Sequence, residues 1–270
     1  MKLHSLTGAA LFLALTATAA PRAPFGPGET LRYSAWFQIG FVSVGDLSIQ
    51  TGISEDAVDG TSVLDITASG ETGKTLGRLY PLQDSFRVQL RQDDMKPVWF
   101  REHDRERAYE AVKEQWFRYS GDSAVIRHRA VKNGKEESSE HRYTDGCPAD
   151  PLSILYGLRL SDFSAMRPGD TLRYTYFDPD GDTGIVLAYA GLETVKLRNG
   201  ERYRCHKLTF NVADGTVFSR KEPVSVWLSD DDNRIIVHAE AKLKIGYAKV
   251  DLREASGILR PLTAASSVSR

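Results

Sequence analysis

Seven residues that occur twice constrain this chain more than any other feature. Pro27-Gly28-Glu29-Thr30-Leu31-Arg32-Tyr33 returns as Pro168-Gly169-Asp170-Thr171-Leu172-Arg173-Tyr174. Later landmarks keep step: Gly28 to Gly60 spans 32 positions and Gly169 to Gly200 spans 31, while Gly60 to Asp94 spans 34 and Gly200 to Asp232 spans 32. A Pro-Gly-acidic turn can open two unrelated strands, but a shared rhythm of landmarks calls for two halves of one plan. The expected half-repeats are 28–146 and 168–262, joined by a connector at 147–160 inside a single β-rich domain at 28–262.

Both halves read as strands. Gly28 to Gln50 alternates apolar and polar residues around Gly40, with Leu31, Tyr33, Ala35 and Phe37 on one face, which is the period of a hairpin. The signal recurs at 62–68, 85–91, 97–102, 124–130, 171–177, 185–190, 203–212, 224–228 and 235–243. Asp59-Gly60, Asn133-Gly134, Asp180-Gly181 and Asn199-Gly200 are turn pairs that tolerate positive φ. Ala108, Val112 and Trp116 have helical spacing, yet the β-forming residues around them make 108–119 a strand. The connector differs. Asp150 is a good N-cap, Pro151 a good first helical residue, and Leu152, Leu155, Tyr156 and Leu160 share one helical face. A second helical turn is expected within Gly70–Tyr80, ended before Pro81. The predicted fold is mostly β: a large curved antiparallel sheet or open barrel from two similar halves, with one or two short helices packed on it.

The N-terminus has another character. Lys2 and His4 precede an uncharged apolar run from Gly8 to Leu15 and the small residues Ala17-Thr18-Ala19, the order of a signal peptide cleaved after Ala19. The run is shorter than the ~20 residues needed to span a bilayer. An exported, periplasmic protein that does not span the membrane is expected, with a flexible Pro-rich lead at 20–27 and a disordered tail at 263–270. In an oxidising compartment Cys147 and Cys205 are expected to pair, separate buried thiols being the alternative. Thirty-five basic and 36 acidic residues leave a net charge of -1, which excludes a field able to gather nucleic acid.

Four segments carry a family resemblance: GETLRYSAWFQIGFVSVGDLSI from Gly28, DPLSILYGLR (Asp150–Arg159), NGERYRCHKL (Asn199–Leu208) and VWLSDDDNRIIV (Val226–Val237). Together they resemble the bacterial family called domain of unknown function 3108, over nearly all of the chain after the leader. Where that family usually continues arginine-isoleucine-proline-valine, this chain has Arg234-Ile235-Ile236-Val237. The resemblance implies an envelope location and, more loosely, a plan similar to the outer-membrane lipoprotein carriers. It singles out Asp150, Tyr156, Arg159, Trp227, Asp231 and Arg234 as ligand-binding or structural candidates, with Arg159 expected to reach a carboxylate such as Asp231.

Motifs of chemistry are sparse. Ala68 to Thr75 fits a loose P-loop pattern, but Pro81 arrives too soon for the helix a phosphate needs, so nucleotide is not expected. Asp178, Asp180 and Asp182 have calcium-loop spacing without the glycine and glutamate that such a loop requires, so a turn is the better reading and no metal is expected. The six histidines form no metal pair, no nucleophile elbow is present, and no cofactor or catalytic residue is assigned. Abundant aromatics, among them Trp36, Trp99, Phe100, Trp116 and Trp227, fit a curved sheet around an apolar hollow. The expected function is non-enzymatic binding or carriage of an apolar or lipid-like ligand. An envelope protein–protein interaction module is the alternative, and a hydrolase ranks below both.

Overall fold

Two antiparallel meanders meet at one seam. The computed structural model describes residues 23–39, 42–78, 81–211 and 223–266; the predicted signal peptide and its cleavage site lie outside these. The first half runs through β1 (Thr30–Ile39), β2 (Val42–Val58), β3 (Thr61–Thr72), a one-turn α1 (Lys74–Gly77), β4 (Gln83–Arg91), β5 (Pro97–Glu106), β6 (Tyr109–Ser120), β7 (Ser123–Lys132) and β8 (Lys135–Tyr143). After α2 (Pro151–Leu160), the second half runs through β9 (Thr171–Tyr176), β10 (Thr183–Lys196), β11 (Arg202–Phe210), β12 (Val224–Ser229), β13 (Ile236–Lys242) and β14 (Tyr247–Ser256), with a short β15 (Ala265–Ser266). The sheet order is β8-β7-β6-β5-β4-β3-β2-β1-β14-β13-β12-β11-β10-β9, so the last long strand of the second half pairs with the first strand of the first. No ladder joins the edges β8 and β9. The connector leans against β9 instead: Ala149 N–H donates to Thr175 O (2.8 Å) and Phe177 N–H to Ala149 O (3.1 Å).

The repeat is structural. Gly28 and Gly169 have φ of 92° and 101°, a region open chiefly to glycine. Gly28 N–H donates to Ile53 O, Ile53 N–H to Glu29 O and Glu29 N–H to Gly26 O; Gly169 N–H donates to Tyr189 O, Tyr189 N–H to Asp170 O and Asp170 N–H to Arg167 O. In each half, two of these bonds thus lock the turn to the second strand and the third closes the turn itself.

Alternation places one side of the sheet against α2. This inner face packs Leu64, Ile66, Val88, Phe100, Phe117 and Ile126 around Leu152, Tyr156 and Phe25, and continues as Leu187, Leu208, Val226 and Leu228 around Leu158 and Phe163. The helix and the N-terminal lead occupy the hollow. Three expectations are corrected here. The lead is not loose from Ala23 on, because Ala23 and Phe25 are buried in the core. The tail is ordered through Ser266, since Ala265 and Ser266 pair with Tyr203 and Arg202 of β11; residues 267–270 lie outside the described ones. Cys147 and Cys205 are both free, Cys147 beside the first inner cluster and Cys205 buried in a separate one.

Two details of facing also differ from expectation. A β-bulge between Ala35 and Phe37 flips the pattern, so Trp36 is buried and Phe37 exposed. The helix buries Leu152, Ile154, Tyr156, Leu158 and Arg159 and exposes Leu155 and Leu160. Enclosed within a curved sheet, it is covered on more than one stripe.

Candidate functional site

The sequence-singled residues fall into two groups on opposite faces of the sheet. Asp150 caps α2, its Oδ1 accepting Ser153 N–H at 2.9 Å. Burial drives this carboxyl up to about 6 against the opposing hydrogen bonds from Ser153. Two turns on, Tyr156 meets Phe25 edge-on at 4.8 Å, and Arg159 lies over both rings, 4.9 Å from Phe25 and 5.3 Å from Tyr156. Its carboxylate partner is Glu29, not Asp231: Nη1 and Nη2 donate to Oε1 and Oε2 at 2.5 and 2.8 Å. The pair is 3% and 1% exposed, and Arg159 Nε donates to Asn233 O at 3.1 Å. Glu29 is the acid of the first repeat turn, so the pair ties helix to seam. Sequence reasoning missed Glu29 although it opens the repeat: its counterpart Asp170 is exposed and its carboxylate accepts Arg167 N–H within the turn, so the repeat alone does not mark this acid as an ion-pair partner.

Asp231 braces its own turn and ties it to the C-terminal segment. Oδ1 accepts Ser229 Oγ–H and Asn233 N–H, and Oδ2 accepts Ala264 N–H. Arg234, at φ 48°, donates from Nη1 to Arg159 O at 3.3 Å. Trp227 sits on the outer face, with Nε1 donating to Glu193 Oε1 at 2.9 Å and Lys207 Nζ 4.7 Å from its ring centre.

Two buried histidine relays accompany this frame. On the inner face Tyr189 O–H donates to His206 Nδ1 (3.0 Å) and His206 Nε2–H to Asp230 Oδ1 (2.9 Å), a tautomer matched to the lowered pKa that burial imposes on His206. Phe163 stacks over that ring at 4.7 Å and seals it. On the outer face His238 Nδ1 meets Asp251 Oδ1 at 2.6 Å. Burial acts to lower the His238 pKa, but hydrogen bonds to Asp251 and Glu240 outweigh it and hold the value above normal.

An open groove of about 1310 Å³ lies on the outer face of β4–β8, lined also by Val58, Asp59 and Thr61 at the β2–β3 turn. Its floor follows from register. Gln89 lies opposite Trp99, Trp99 opposite Trp116, Trp116 opposite Arg127 and Arg127 opposite Glu140. Arg87 stacks 5.6 Å from the Trp99 ring and holds Asp65 through two nitrogens. Trp116 is 37% exposed. A smaller apolar recess of about 300 Å³ lies between Phe25, Leu64, Met95, Leu160 and Leu259. The calcium-like segment is a turn whose carboxylates accept its own amides, Asp180 N–H on Asp178 Oδ1 and Asp178 N–H on Asp182 Oδ1. Among the described residues no cluster of three or more His, Cys, Asp or Glu could hold a metal ion, and no helix is long and apolar enough to cross a membrane.

No curated protein matches the chain significantly. Among solved structures it is similar to a β-barrel-like protein of domain of unknown function DUF1849 from Brucella abortus, at 9% identity and a TM-score of 0.51, over 88% of this chain and 100% of that one. At that identity the likeness speaks for the fold alone. The family model for proteins of unknown function DUF3108 matches residues 30–253, and the chain belongs to that family.

Proposed function

We propose that this is an exported, periplasmic, non-enzymatic interaction protein of the cell envelope that docks a partner in the outer groove of β4–β8. One observation carries the reading: the hollow expected to shelter a ligand is filled by α2 and Phe25, while a wide groove lies outside, lined by the cross-strand pair of half-buried Trp99 and exposed Trp116. Aromatic and arginine side chains at the centre of a recess are the residues that dominate protein interfaces. Carriage of an apolar ligand has the recess beside Phe25 in its favour, but its 300 Å³ is at the low end of the about 300–1,000 Å³ of ligand pockets.

The test places a photo-crosslinking residue at Trp116 and, as a control, at exposed Leu192 on β10. Discrete adducts in intact cells from position 116 alone are the expected result. Equal adducts from both positions, or one lipid molecule recovered per natively purified protein, would overturn the docking reading. N-terminal sequencing of the exported chain checks the compartment; an intact Met1 would refute it.

A further inference from the structure

The two repeats dress their outer faces differently. Aligning the turn glycines Gly60 and Gly200 sets Asp65 against Cys205. The ladders then set Arg87 against Trp227, Arg101 against His238 and Glu114 against Asp251. A cation–carboxylate pair survives at the same place in each, Arg101–Glu114 at 3.7 Å and His238–Asp251 at 2.6 Å. In the second repeat this face is closed. Leu197 at the β10–β11 turn is buried with Cys205 and Trp227, Arg198 N–H donates to Asp251 Oδ2, and Ile258 and Leu262 of the C-terminal segment pack on the same cluster. In the first repeat Ala57 replaces Leu197 and is exposed, charged residues stand where Cys205 and Trp227 stand, and β7 follows where the second repeat sends its covering segment. The groove is the uncovered counterpart of a surface that this fold closes elsewhere with its own C-terminal segment, an irregular run that ends in the short strand β15.

We propose that the groove takes an extended acidic–apolar peptide segment of another envelope protein, its apolar side chains on Trp99 and Trp116 and its carboxylates on the arginines. The inference rests on the docking reading and names the chemistry of the occupant. Five arginines line the groove against two carboxylates, Asp59 and Glu140. Arg87, Arg91, Arg127 and Arg129 hold intramolecular carboxylates, whereas exposed Arg118 has no ion-pair partner among the described residues. The Arg127–Glu140 and Arg129–Glu136 pairs are solvent-exposed and worth little singly, so an incoming carboxylate can exchange into them, whereas Arg87 stays with buried Asp65.

The experiment pans a random peptide library, about nine residues long like Ile258–Ser266, on the purified mature protein, with an array of envelope oligosaccharides probed in parallel. Peptides alternating acidic and apolar residues are expected to enrich, to bind at least about tenfold more weakly to both Trp116→Ala and Arg118→Glu, and to weaken with added salt. Arg118→Glu, at an exposed position without an ion-pair partner among the described residues, keeps the test valid if Trp116→Ala fails to fold. Enriched peptides indifferent to both substitutions would overturn the groove as the docking site. An oligosaccharide bound in a Trp116-dependent way with no peptide enriched would leave the groove reading standing and overturn the peptide. Enrichment of neither would overturn both.

Discussion

Arg159 shows how much one buried charge asks of its surroundings. A guanidinium this enclosed is tolerable only because Glu29 takes both terminal nitrogens, Asn233 O takes the third, and Phe25 and Tyr156 flank its plane. Arg159→Ala should therefore cost about 3–5 kcal/mol in urea unfolding, since it strands the Glu29 carboxylate. Replacing Glu29 and Arg159 together by Leu and Met should cost clearly less than the sum of the single changes; strict additivity would show that the pair is not coupled. His238 gives a pH test. Its folded pKa lies above the ordinary 6.5, so the folded state binds the proton more tightly than the unfolded state. The stabilisation is then fully present below about pH 6.5 and lost as pH rises through the raised value. Melting temperature should fall across that window in the native protein, and His238→Gln should flatten this part of the profile.

At the scale of elements, α2 was legible because its signals are local: an N-cap three residues from the amide it accepts, and a proline at N1. Asp150→Ala should lower stability by about 1–2 kcal/mol in chemical denaturation, while Asp150→Asn, which keeps the acceptor, should lose much less. Which stripe of the helix is buried was not legible, because the sheet wraps it. Two long strands, besides the two-residue β15, also escaped sequence reading. β8 (KEESSEHRY) has almost no apolar residues, as suits an edge strand; β14 (YAKVDLREAS) has weak alternation although it forms the seam. The repeat frame could have found β14, since it stands in the place of β6. The cysteines belong to separate clusters, and burial pushes Cys147 up to about 11 and Cys205 up to about 12. Denaturation without reductant should release two titratable thiols per chain; none would mean that the pair is bonded after all.

For the whole molecule, two meanders share one sheet because each repeat ends in a strand able to pair with a first strand. β14 finds β1, whereas β6 pairs with β7 and the first half grows by a hairpin. That asymmetry leaves one outer face bare and lines it with Trp99 and Trp116. Substituting both with Ala should abolish partner capture at the groove while the melting temperature moves little, because neither ring belongs to an inner cluster. A large fall in stability would instead assign them to the core. What the amino-acid sequence determined by itself is what short-range chemistry encodes: the strand period, the turn pairs, the repeat and the helix cap. Tertiary structure decided the partner of Arg159, the burial of Trp36 over Phe37, the separation of the cysteines and the filling of the hollow. Those outcomes depend on register and on contacts between distant segments, where a shift of one residue exchanges the two faces of a strand.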